Sequence, residues 1–551
     1  MTPQDLIAAF DTFAEAPDGL RRLREVVLQL ATRGLLVSQS PEDEPATVLF
    51  DGRGSDQLDD APFDLPHGWV WTDISRLGEV LGGATPSKRN SAFWGGNVPW
   101  VSPKDMKRDF IGESRDYITE AAVEGSSVKR IPSNSVLMVV RGMILAHSFP
   151  TALTTAEVTI NQDMKALLPF DLRLAPYLLM ASKGHKQDAL DLVERSTHGT
   201  CKLPTKSLFA MPIAVPPLAE QKRIVARVDE LMGLLDRLEA ARNAREATRT
   251  ALRDATLAAL ADADTPEEVE VAWERIAGRM DDLFTDPADV GPLRQTVLQL
   301  AVRGRLVPQD PADEPASVLL ERIAVEKARL VKEKKIRKPK VLPPVSEDEQ
   351  HYLVGGHWSW ARMDTVCTHI VDCLHRTPKY VDEGIPAIRT ADVVPGRLLV
   401  EKARRVSDST YMEQIRRLAP RTGDILYSRE GERLGIAAQV PEGVKCCLSQ
   451  RMAHLRPSSL LAAEFVMWFM NSPSGYGAAV GVVNQTTSPH VNMASIRAMV
   501  VPLPPVAEQE RIVAVVNELM GLLDQLEEHL AAKTATHDAF AAAAVHHLDA
   551  R

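Results

Sequence analysis

Two internal repeats constrain the fold of this 551-residue chain more than any other feature. The segment Leu23–Leu49 recurs at Leu293–Leu319 with 19 of 27 positions identical, at an offset of 270. The segment Pro216–Glu239 recurs at Pro504–Glu527 with 19 of 24 positions identical, at an offset of 288. Because each copy of a repeated segment tends to form the same local structure, the chain is expected to contain two equivalent frames.

The repeats enclose two stretches of nearly equal length. Trp69–Val215 has 147 residues and Trp358–Leu503 has 146, yet the two sequences share little that can be aligned by eye. Similar connectors are expected to hold both inserts in the same geometry, while unlike inserts are expected to expose different surfaces. The sequence therefore predicts two domains in equivalent positions with different specificities.

The order of the repeated blocks is circular. The middle of the chain contains both blocks, whereas the N-terminal region has only the first and the C-terminal region only the second. Joining the end of the chain to its start would rebuild the central arrangement. We therefore expect a pseudo-two-fold circular repeat, with the N-terminal segment packed beside the C-terminal helix.

The second repeat is predicted to form a long helix. Its apolar residues follow one another at steps of four and three, as on the seam of a coiled coil. The predicted helix-pairing residues are Ile224, Val228, Leu231, Leu235 and Leu238 in the first copy and Ile512, Val516, Leu519, Leu523 and Leu526 in the second. The first pattern continues to about Leu260, which gives a rod of ~60 Å at ~1.5 Å per residue. Since so long a helix cannot bury a narrow seam alone, we expect the two long helices to pair antiparallel; an ordinary helical hairpin within a larger core is the alternative.

The inserts are predicted to be mixed α/β domains. Ser135–Leu145, Gly423–Tyr427 and Gly435–Val440 are apolar runs typical of strands, and Leu174–Ala181 and Leu461–Met470 are typical of helices. The predicted fold class is α/β (α+β), with two globular domains separated by two long antiparallel connector helices. The predicted divisions are an N-terminal helical half-connector 1–64, domain 1 at 65–215, a central helical connector 216–326, a solvated basic linker 327–350, domain 2 at 351–503 and a C-terminal connector helix 504–551.

The negative net charge of the whole chain argues against a nucleic-acid ligand, but the charges of its separate regions do not. The whole chain carries −10, from 64 Lys and Arg against 74 Asp and Glu. Trp69–Val215 has 17 basic and 14 acidic residues (+3), and Trp358–Leu503 has 17 and 13 (+4), so the remainder carries −10 − 7 = −17. The two inserts are therefore mildly basic, and the frame that carries them is acidic.

Basic, amide and aromatic side chains are interleaved in polar stretches of both inserts. Such side chains hold phosphates and hydrogen-bond base edges, which makes them candidates for DNA contact. The candidates in the first insert are Lys88, Arg89, Asn90, Lys104, Lys107, Arg108, His198 and Thr200. The candidates in the second insert are Arg376, Lys379, Tyr380, Arg389, Arg429, Arg433, Gln485, Thr486 and His490. For any single residue, a solvated surface charge or a turn is the alternative. The matched position of the polar segments around His198 and Thr486, just before each long helix, is the stronger indication.

Motifs for catalysis and metal binding are missing. The sequence has no GxxxxGK loop, no Gly-rich dinucleotide loop in the required setting, and no HExxH or CxxC signature. Asn97-Val98-Pro99-Trp100 lacks the first proline of an amino-methyltransferase tetrad. The five cysteines form no CxxC pair and suit a reducing compartment. The sequence has no stretch of ~20 apolar residues, and its acidic first residues predict no signal peptide. The sequence thus favours a cytoplasmic binding protein without a metal site.

The repeats and their flanks resemble the DNA-specificity subunit of type I restriction–modification enzymes. The resemblance is carried by PPLAEQKRIVARVDELMGLLDRLE at Pro216–Glu239 and its copy at Pro504–Glu527, each directly after an insert. LPHGWVW at Leu65–Trp71 and TPKYVDEGIPAIR at Thr377–Arg389 are similar to openings of the family's recognition domains, and the likeness covers essentially the whole chain.

The resemblance implies two target-recognition domains, each reading one half of a split sequence in double-stranded DNA. The connector helices would set the unread spacer. The family further implies two modification subunits that carry S-adenosylmethionine and methylate adenine, and restriction subunits that use ATP and Mg²⁺, with no cofactor on this chain. A coiled-coil scaffold that joins protein partners without reading DNA, and a self-contained methyltransferase or nuclease, are the competing hypotheses.

Overall fold

The computed structural model describes residue 16 and residues 18–50, 62–195, 199–338, 340–431, 433–480 and 490–549. It separates into two units: Met1–Ala244 with Ala535–Arg551 (unit 1), and Arg245–Thr534 (unit 2). The helices are α1 Gly19–Thr32, α2 Glu120–Glu124, α3 Ala175–Gly184, α4 Lys186–Asp191, α5 Thr205–Phe209, α6 Leu218–Ala261, α7 Pro266–Ala277, α8 Met280–Leu283, α9 Val290–Val302, α10 Ala316–Lys332, α11 Met363–Val366, α12 Asp408–Gln414, α13 Ala463–Asn471, α14 Pro473–Val480, α15 Met493–Ala498 and α16 Val506–Asp549.

The strands are short and belong mainly to the two insert domains. In domain 1 they are β1 Val70–Asp73, β2 Gly78–Gly82, β3 Trp94–Val101, β4 Phe110–Ile111, β5 Asp116–Ile118, β6 Arg130–Ile131, β7 Val136–Val139, β8 Thr151–Thr154, β9 Val158–Ile160, β10 Met164–Pro169, β11 Glu194–Arg195, β12 Cys201–Lys202 and β13 Pro212–Val215. In domain 2 they are β14 Ser359–Arg362, β15 Cys367–Asp372, β16 Tyr380–Val381, β17 Ile385–Ile388, β18 Val393–Val394, β19 Arg397–Leu398, β20 Arg404–Val406, β21 Ile425–Ser428, β22 Ala437–Gln439, β23 Cys447–Leu448, β24 Met452–Pro457 and β25 Val500–Leu503.

The predicted α/β class is confirmed, and the two domains share the order of four strands in the first sheet and of three strands in the second, despite their unlike sequences. Domain 1 has sheets ordered β2-β10-β7-β8-β4 and β5-β3-β9-β6, and domain 2 has sheets ordered β15-β24-β21-β22 and β16-β20-β17-β23. The second sheet of each domain contains one parallel pair: β3 with β9 in the middle of the sheet of domain 1, and β17 with β23 at the edge of the sheet of domain 2. The other pairs of these sheets are antiparallel except that of β4 with β8 at one edge. The inserts are therefore two versions of one fold.

Individual strands begin and end differently from the sequence predictions. The apolar run that starts at Ser135 gives only β7, because Gly142 turns the backbone (φ 134°) before a short 3₁₀ turn that includes Leu145. All four side chains of β7 are buried, as expected for a strand covered on both faces. The predicted strands near Gly423 and Gly435 form the antiparallel pair β21 and β22, and α3 and α13 lie where helices were predicted.

The basic run that begins at Lys327 differs from the predicted solvated linker. Its first six residues complete α10. Lys327 is half-buried, and its Nζ donates a hydrogen bond to the main-chain oxygen of Asp364. The apolar positions that repeat along α10 bury Leu319 and Ile323, so the helix continues as long as that face has a core to cover.

Both long helices are 44 residues long, and three of the five residues of each predicted seam are buried. Ile224, Val228 and Leu235 in α6, and Ile512, Val516 and Leu523 in α16, are all less than 9% exposed. The remaining seam residues, Leu231, Leu238, Leu519 and Leu526, are half-buried. Burial therefore repeats residue by residue between the two copies.

The partners of the seam differ in part from the prediction. Ile224 and Val228 belong to the apolar core that contains Trp69 of domain 1, and no described residue of α16 belongs to that core. In unit 2, Leu257 from the end of α6 shares one core with Ile512 from the start of α16. Each unit combines the start of one long helix with the end of the other, as an antiparallel pair requires.

The predicted packing of the N-terminal segment beside the C-terminal helix is confirmed in unit 1. The Arg22 guanidinium in α1 donates a hydrogen bond of 3.0 Å to the main-chain oxygen of Asp538 in α16. The side chains of Arg22 and Asp538 also form an ion pair at 3.5 Å.

Candidate nucleic-acid interface

Each insert domain is joined to its long helix by a tryptophan–glutamate hydrogen bond. Trp69 Nε1 donates to Glu220 Oε2 at 3.0 Å, and Trp358 Nε1 donates to Glu508 Oε2 at 3.1 Å. Both tryptophans lie at the start of a domain, and both glutamates lie in the first turn of a long helix. The domain is thereby fixed to the helix at the point where the chain passes from one to the other.

Short strand pairs and further polar contacts complete this junction, again in both copies. Strand β1 pairs with β13, and β14 pairs with β25, so that the two ends of each domain lie side by side. The equivalent contacts are Gln221 Nε2 to Pro216 O and Gln509 Nε2 to Pro504 O (both 2.8 Å), Arg223 to Asp43 (2.6 Å) and Arg511 to Asp313 (2.7 Å).

A glycine beside each tryptophan permits this close packing. Gly34 and Gly304 have φ angles of 72° and 70°, which side chains rarely adopt. A Cβ atom at Gly34 would lie 2.9 Å from the Trp69 ring, and one at Gly304 would lie 2.8 Å from the Trp358 ring. Any larger residue would push the tryptophan out of its place.

The junction glutamates are buried carboxyls with an incomplete set of hydrogen bonds. Glu220 and Glu508 are each 1% exposed, and Oε1 of each has no hydrogen-bond partner among the described residues. Burial raises the pKa of both carboxyls, to about 7 for Glu508. Each junction therefore contains a group that titrates above the usual range of a glutamate.

The candidate residues of domain 1 are exposed on two segments that flank β3. Lys88, Arg89 and Asn90 lie in the turn before it, and Lys104, Lys107 and Arg108 lie in the loop after it. None of the five basic side chains has an ion-pair partner within the described part of the chain. At ~3.3 Å per residue, the eight-residue strand separates the two segments by on the order of 20 Å, so they form two groups.

Local contacts give both segments a defined shape. The Asn90 side chain accepts a hydrogen bond from Ala92 N at 3.2 Å, which makes it a cap of the turn. Trp94 Nε1 donates to Ser87 O at 3.3 Å on the same turn. In the second segment, Asp105 accepts from Ser102 N at 2.9 Å and from Arg115 N at 3.0 Å. The basic side chains are thus presented by ordered loops.

In domain 2, four of the five basic candidates are engaged by other groups of the domain. Arg376 pairs with Glu413, and Arg389 pairs with Asp392 at 2.8 Å. Arg433 donates to Val393 O at 3.0 Å. Arg429 is 5% exposed and pairs with Asp372 at 3.1 Å, so its guanidinium supports the interior of the domain.

Lys379 and Tyr380 are the candidates of domain 2 that the structure leaves more accessible. Lys379 is exposed without an ion-pair partner in the described residues. Tyr380 is half-buried, and its hydroxyl lies 3.1 Å from Ser449 Oγ. The ring of Tyr380 is covered by the Arg404 guanidinium, 5.0 Å from its centroid, on the neighbouring strand β20.

Three candidates near the second repeats lie outside the described residues, namely His198, Gln485 and Thr486. Thr200 is exposed just before β12. His490 is half-buried and forms an isolated antiparallel bridge with Glu430. The role of all these residues in DNA contact stays a prediction.

Several exposed arginines of domain 2 were absent from the sequence candidates, among them Arg404 and Arg416. Arg404 lies on β20 beside Tyr380, and Arg416 is exposed after α12 with no ion-pair partner in the described part of the domain. The signal that could have found them is the doubled arginine, at Arg404-Arg405 and Arg416-Arg417. Exposed arginines can contact phosphates or guanine edges.

A buried charge network lies inside the first sheet of domain 2. His454 Nε2 lies 2.7 Å from Asp424 Oδ2, and Arg456 Nη2 donates to the same oxygen at 2.6 Å. Hydrogen bonds from these two side chains outweigh burial and lower the pKa of Asp424 to about 2. Since Asp424 and His454 are 3% and 2% exposed, this network holds strands together and is not accessible to a ligand.

Among the described residues, no cluster of His, Cys, Asp and Glu side chains could hold a metal ion. Across the same residues, none of the helices combines the length and apolarity needed to cross a membrane.

Comparison with known proteins gives consistent matches. Residues 66–245 match the family described as the type I restriction modification DNA specificity domain. The chain is 29% identical over 550 residues to the type I restriction enzyme EcoAI specificity subunit of Escherichia coli, covering 92% of this chain and 90% of that protein.

Two further relatives match in different ways. The EcoEI specificity subunit of Escherichia coli is 28% identical over 560 residues, covering 93% of this chain and 91% of that protein. The EcoR124I/EcoR124II specificity subunit of Escherichia coli is 41% identical over 161 residues, covering 29% of this chain and 40% of that protein.

Proposed function

We propose that this chain is a DNA-recognition subunit that reads a bipartite target with one domain per half-site. Residues 66–245 match the type I specificity domain, and 92–93% of the chain aligns with two specificity subunits. The observation that carries the proposal is a pair of equivalent junctions that hold two similarly folded domains with different exposed charges. Equal junctions place the two readers equivalently, and unlike surfaces allow each to recognise its own sequence.

The long helices support a role in setting the distance between half-sites. Each has 44 residues, which corresponds to ~66 Å of helix at ~1.5 Å per residue. About 34 Å of duplex makes one helical turn. An insertion of whole turns into α6 is therefore expected to lengthen the spacer between half-sites in the recognised sequence and leave the half-sites unchanged.

Matching apolar positions on the long helices support two equivalent protein partners. Leu234 in α6 is 46% exposed and Leu522, its counterpart in α16, is 54% exposed. Each of these leucines lies three residues after a half-buried seam residue, Leu231 or Leu519, so the exposed face borders the helix-pairing seam. We assign these faces to two modification subunits that carry S-adenosylmethionine, with restriction subunits that use ATP and Mg²⁺ joining the same complex.

In this proposal the chain itself is not an enzyme and holds no cofactor or metal; it supplies sequence recognition to catalytic partners in the cytoplasm. The missing catalytic motifs support this division of labour. Purified chain that methylates or cuts DNA without partners would contradict it.

The proposal is tested by exchanging one domain. Residues 74–211 are replaced by the corresponding residues of the EcoAI specificity subunit, so that Trp69 and the β1–β13 pair of the junction are retained, and the modified adenines are mapped on DNA treated with the assembled complex. One half of the recognised sequence should change while the other half and the spacer remain. A change in both halves, or in neither, would overturn the assignment of one domain to one half-site.

A second experiment separates DNA reading from scaffolding. The L234E and L522E variants should each lower the number of modification subunits per chain by one, measured as the mass of the complex. The wild-type complex is also tested for protection of duplex DNA from nuclease cleavage. If it contains both modification subunits but protects no duplex, the chain would instead be a protein scaffold that does not read DNA.

A further inference from the structure

A polar cleft of about 500 Å³ lies within unit 1 between α1 and domain 1. Its walls come from α1, from the turn that follows β7, and from α4 and β11. The charged side chains that line it are Arg21, Glu25, Lys186, Asp191 and Arg195. This cleft contains none of the residues that the sequence predicted for DNA contact.

The charges in the cleft do not cancel. Arg21 pairs with Asp18 at 3.2 Å and with Glu25 at 3.0 Å, so these groups neutralise one another. Asp191 accepts a hydrogen bond from the Gln187 side chain at 2.7 Å.

Two cations remain available in the cleft. Lys186 and Arg195 have no hydrogen-bond or ion-pair partner among the described side chains, and Lys186 is half-buried. A half-buried cation without a counter-ion favours an anionic ligand that can supply one.

Secondary structure fixes the position of both cations. Lys186 is the first residue of α4, which follows α3 directly. Arg195 lies on β11, where it pairs with Cys201 of β12. Two cations held on regular elements lose less conformational freedom on binding than two on free loops.

We propose that this cleft binds a backbone phosphate of the DNA, as an anchor that reads no sequence. The proposal rests on the DNA-binding function proposed above. Arg195 directly precedes the polar segment around His198, for which the sequence predicts DNA contact. Lysine and arginine contacts to phosphate fix the register of a protein on duplex DNA without carrying sequence information.

Within the described residues of domain 2, the equivalent place has no such pair of cations. There α14 follows α13 as α4 follows α3, but its sequence, PSGYGAAV, contains no lysine or arginine. Ser474 in α14 accepts a hydrogen bond of 3.0 Å from Gln299 Nε2 in α9. The anchor therefore belongs to one half of the complex only.

The test uses the full chain assembled with its modification subunits. The double variant K186Q/R195Q is compared with wild type by measuring DNA affinity over a salt series, on the cognate duplex and on an unrelated one. Each lost phosphate contact lowers the slope of log affinity against log salt by about 1, so a decrease of about 1 to 2 is expected on both duplexes. The matched control is K222Q, which removes an exposed, unpaired lysine from α6 in the same unit.

An unchanged slope in the double variant, or an equal decrease in K222Q, would overturn the anchor. A loss confined to the cognate duplex would overturn it as well, because it would indicate base reading. The wild-type complex is also titrated with inorganic phosphate in a calorimeter. If it binds phosphate while the double variant keeps the salt slope of DNA binding, the cleft is a site for small anions and the DNA anchor is overturned. If the wild-type complex binds no duplex at all, the proposed function fails rather than the cleft assignment.

Discussion

Domains 1 and 2 share a strand order but use their positive charge differently. In domain 1 the five basic candidates project from ordered loops without ion-pair partners among the described residues, whereas in domain 2 four of five are engaged by carboxylates or main-chain oxygens. A fold can therefore be kept while its exposed chemistry changes. Two domains with similar numbers of basic residues can therefore expose different numbers of unpaired cations to a ligand.

The largest expected effect concerns the junctions, where the two domains are alike. W69A and W358A each remove a buried indole and leave a buried glutamate without its donor, so each should lower the free energy of unfolding by ~3–5 kcal/mol. Urea denaturation of the two single variants measures this. If the decreases in the free energy of unfolding of W69A and W358A differ by much more than ~1 kcal/mol, the two junctions are not equivalent.

The next effect separates a structural arginine from an exposed one. R429A breaks a buried ion pair with Asp372, which is itself partly exposed, and should cost ~2–4 kcal/mol of stability. R108A removes an exposed, unpaired cation and should change stability by less than ~0.5 kcal/mol while weakening DNA binding. Denaturation and DNA affinity are measured on both variants. Equal stability losses would remove the contrast between the two domains.

The pH dependence of stability should reveal the buried junction carboxyl of unit 2. The folded chain holds the Glu508 proton more tightly than the unfolded chain does. The stability that protonated Glu508 contributes is therefore fully present below about pH 4.5 and is lost as the pH rises through about 7. E508Q should flatten this fall, which is on the order of 2–3 kcal/mol, and raise stability at pH 8. Unfolding is measured from pH 5 to pH 8.

The neighbouring charges around Glu508 require a control. Arg511 and Asp313 pair at 2.7 Å beside this carboxyl and act on it in opposite directions. The variant E510Q changes an exposed carboxylate in the same turn of α16 and should leave the pH profile unaltered. A profile that E508Q does not flatten would assign the titration to another group.

The smallest expected effect lies in the loops. K88Q/R89Q in domain 1 should lower the salt slope of DNA binding by about 1 to 2, because both side chains are free to meet phosphate. R389Q in domain 2 should change the slope by less, since Asp392 already engages Arg389 at 2.8 Å. A larger change for R389Q than for K88Q/R89Q would reverse the comparison between the domains.

Much of the frame could be predicted from the sequence, because its information is local or repeated. The steps of four and three predicted three buried positions in each of α6 and α16, and the circular order of the repeats predicted the contact of the N-terminal segment with the C-terminal helix. The shared strand order of the two domains could not be seen, since it depends on long-range pairing between short strands with unlike side chains. Candidate binding residues were chosen by type, and type does not reveal a partner such as Asp372 for Arg429.

The amino-acid sequence by itself determined that two equivalent frames carry two different inserts, because identical segments fold alike wherever they recur. Tertiary structure alone decided what each seam packs against and which charges remain available to a ligand. The seam of α6 shares a core with Trp69 of domain 1, and α1 meets Lys186 and Arg195 in one cleft, because segments far apart in sequence come together only in the folded chain. Burial and ion pairing are properties of that arrangement, so no local pattern of residues can state them.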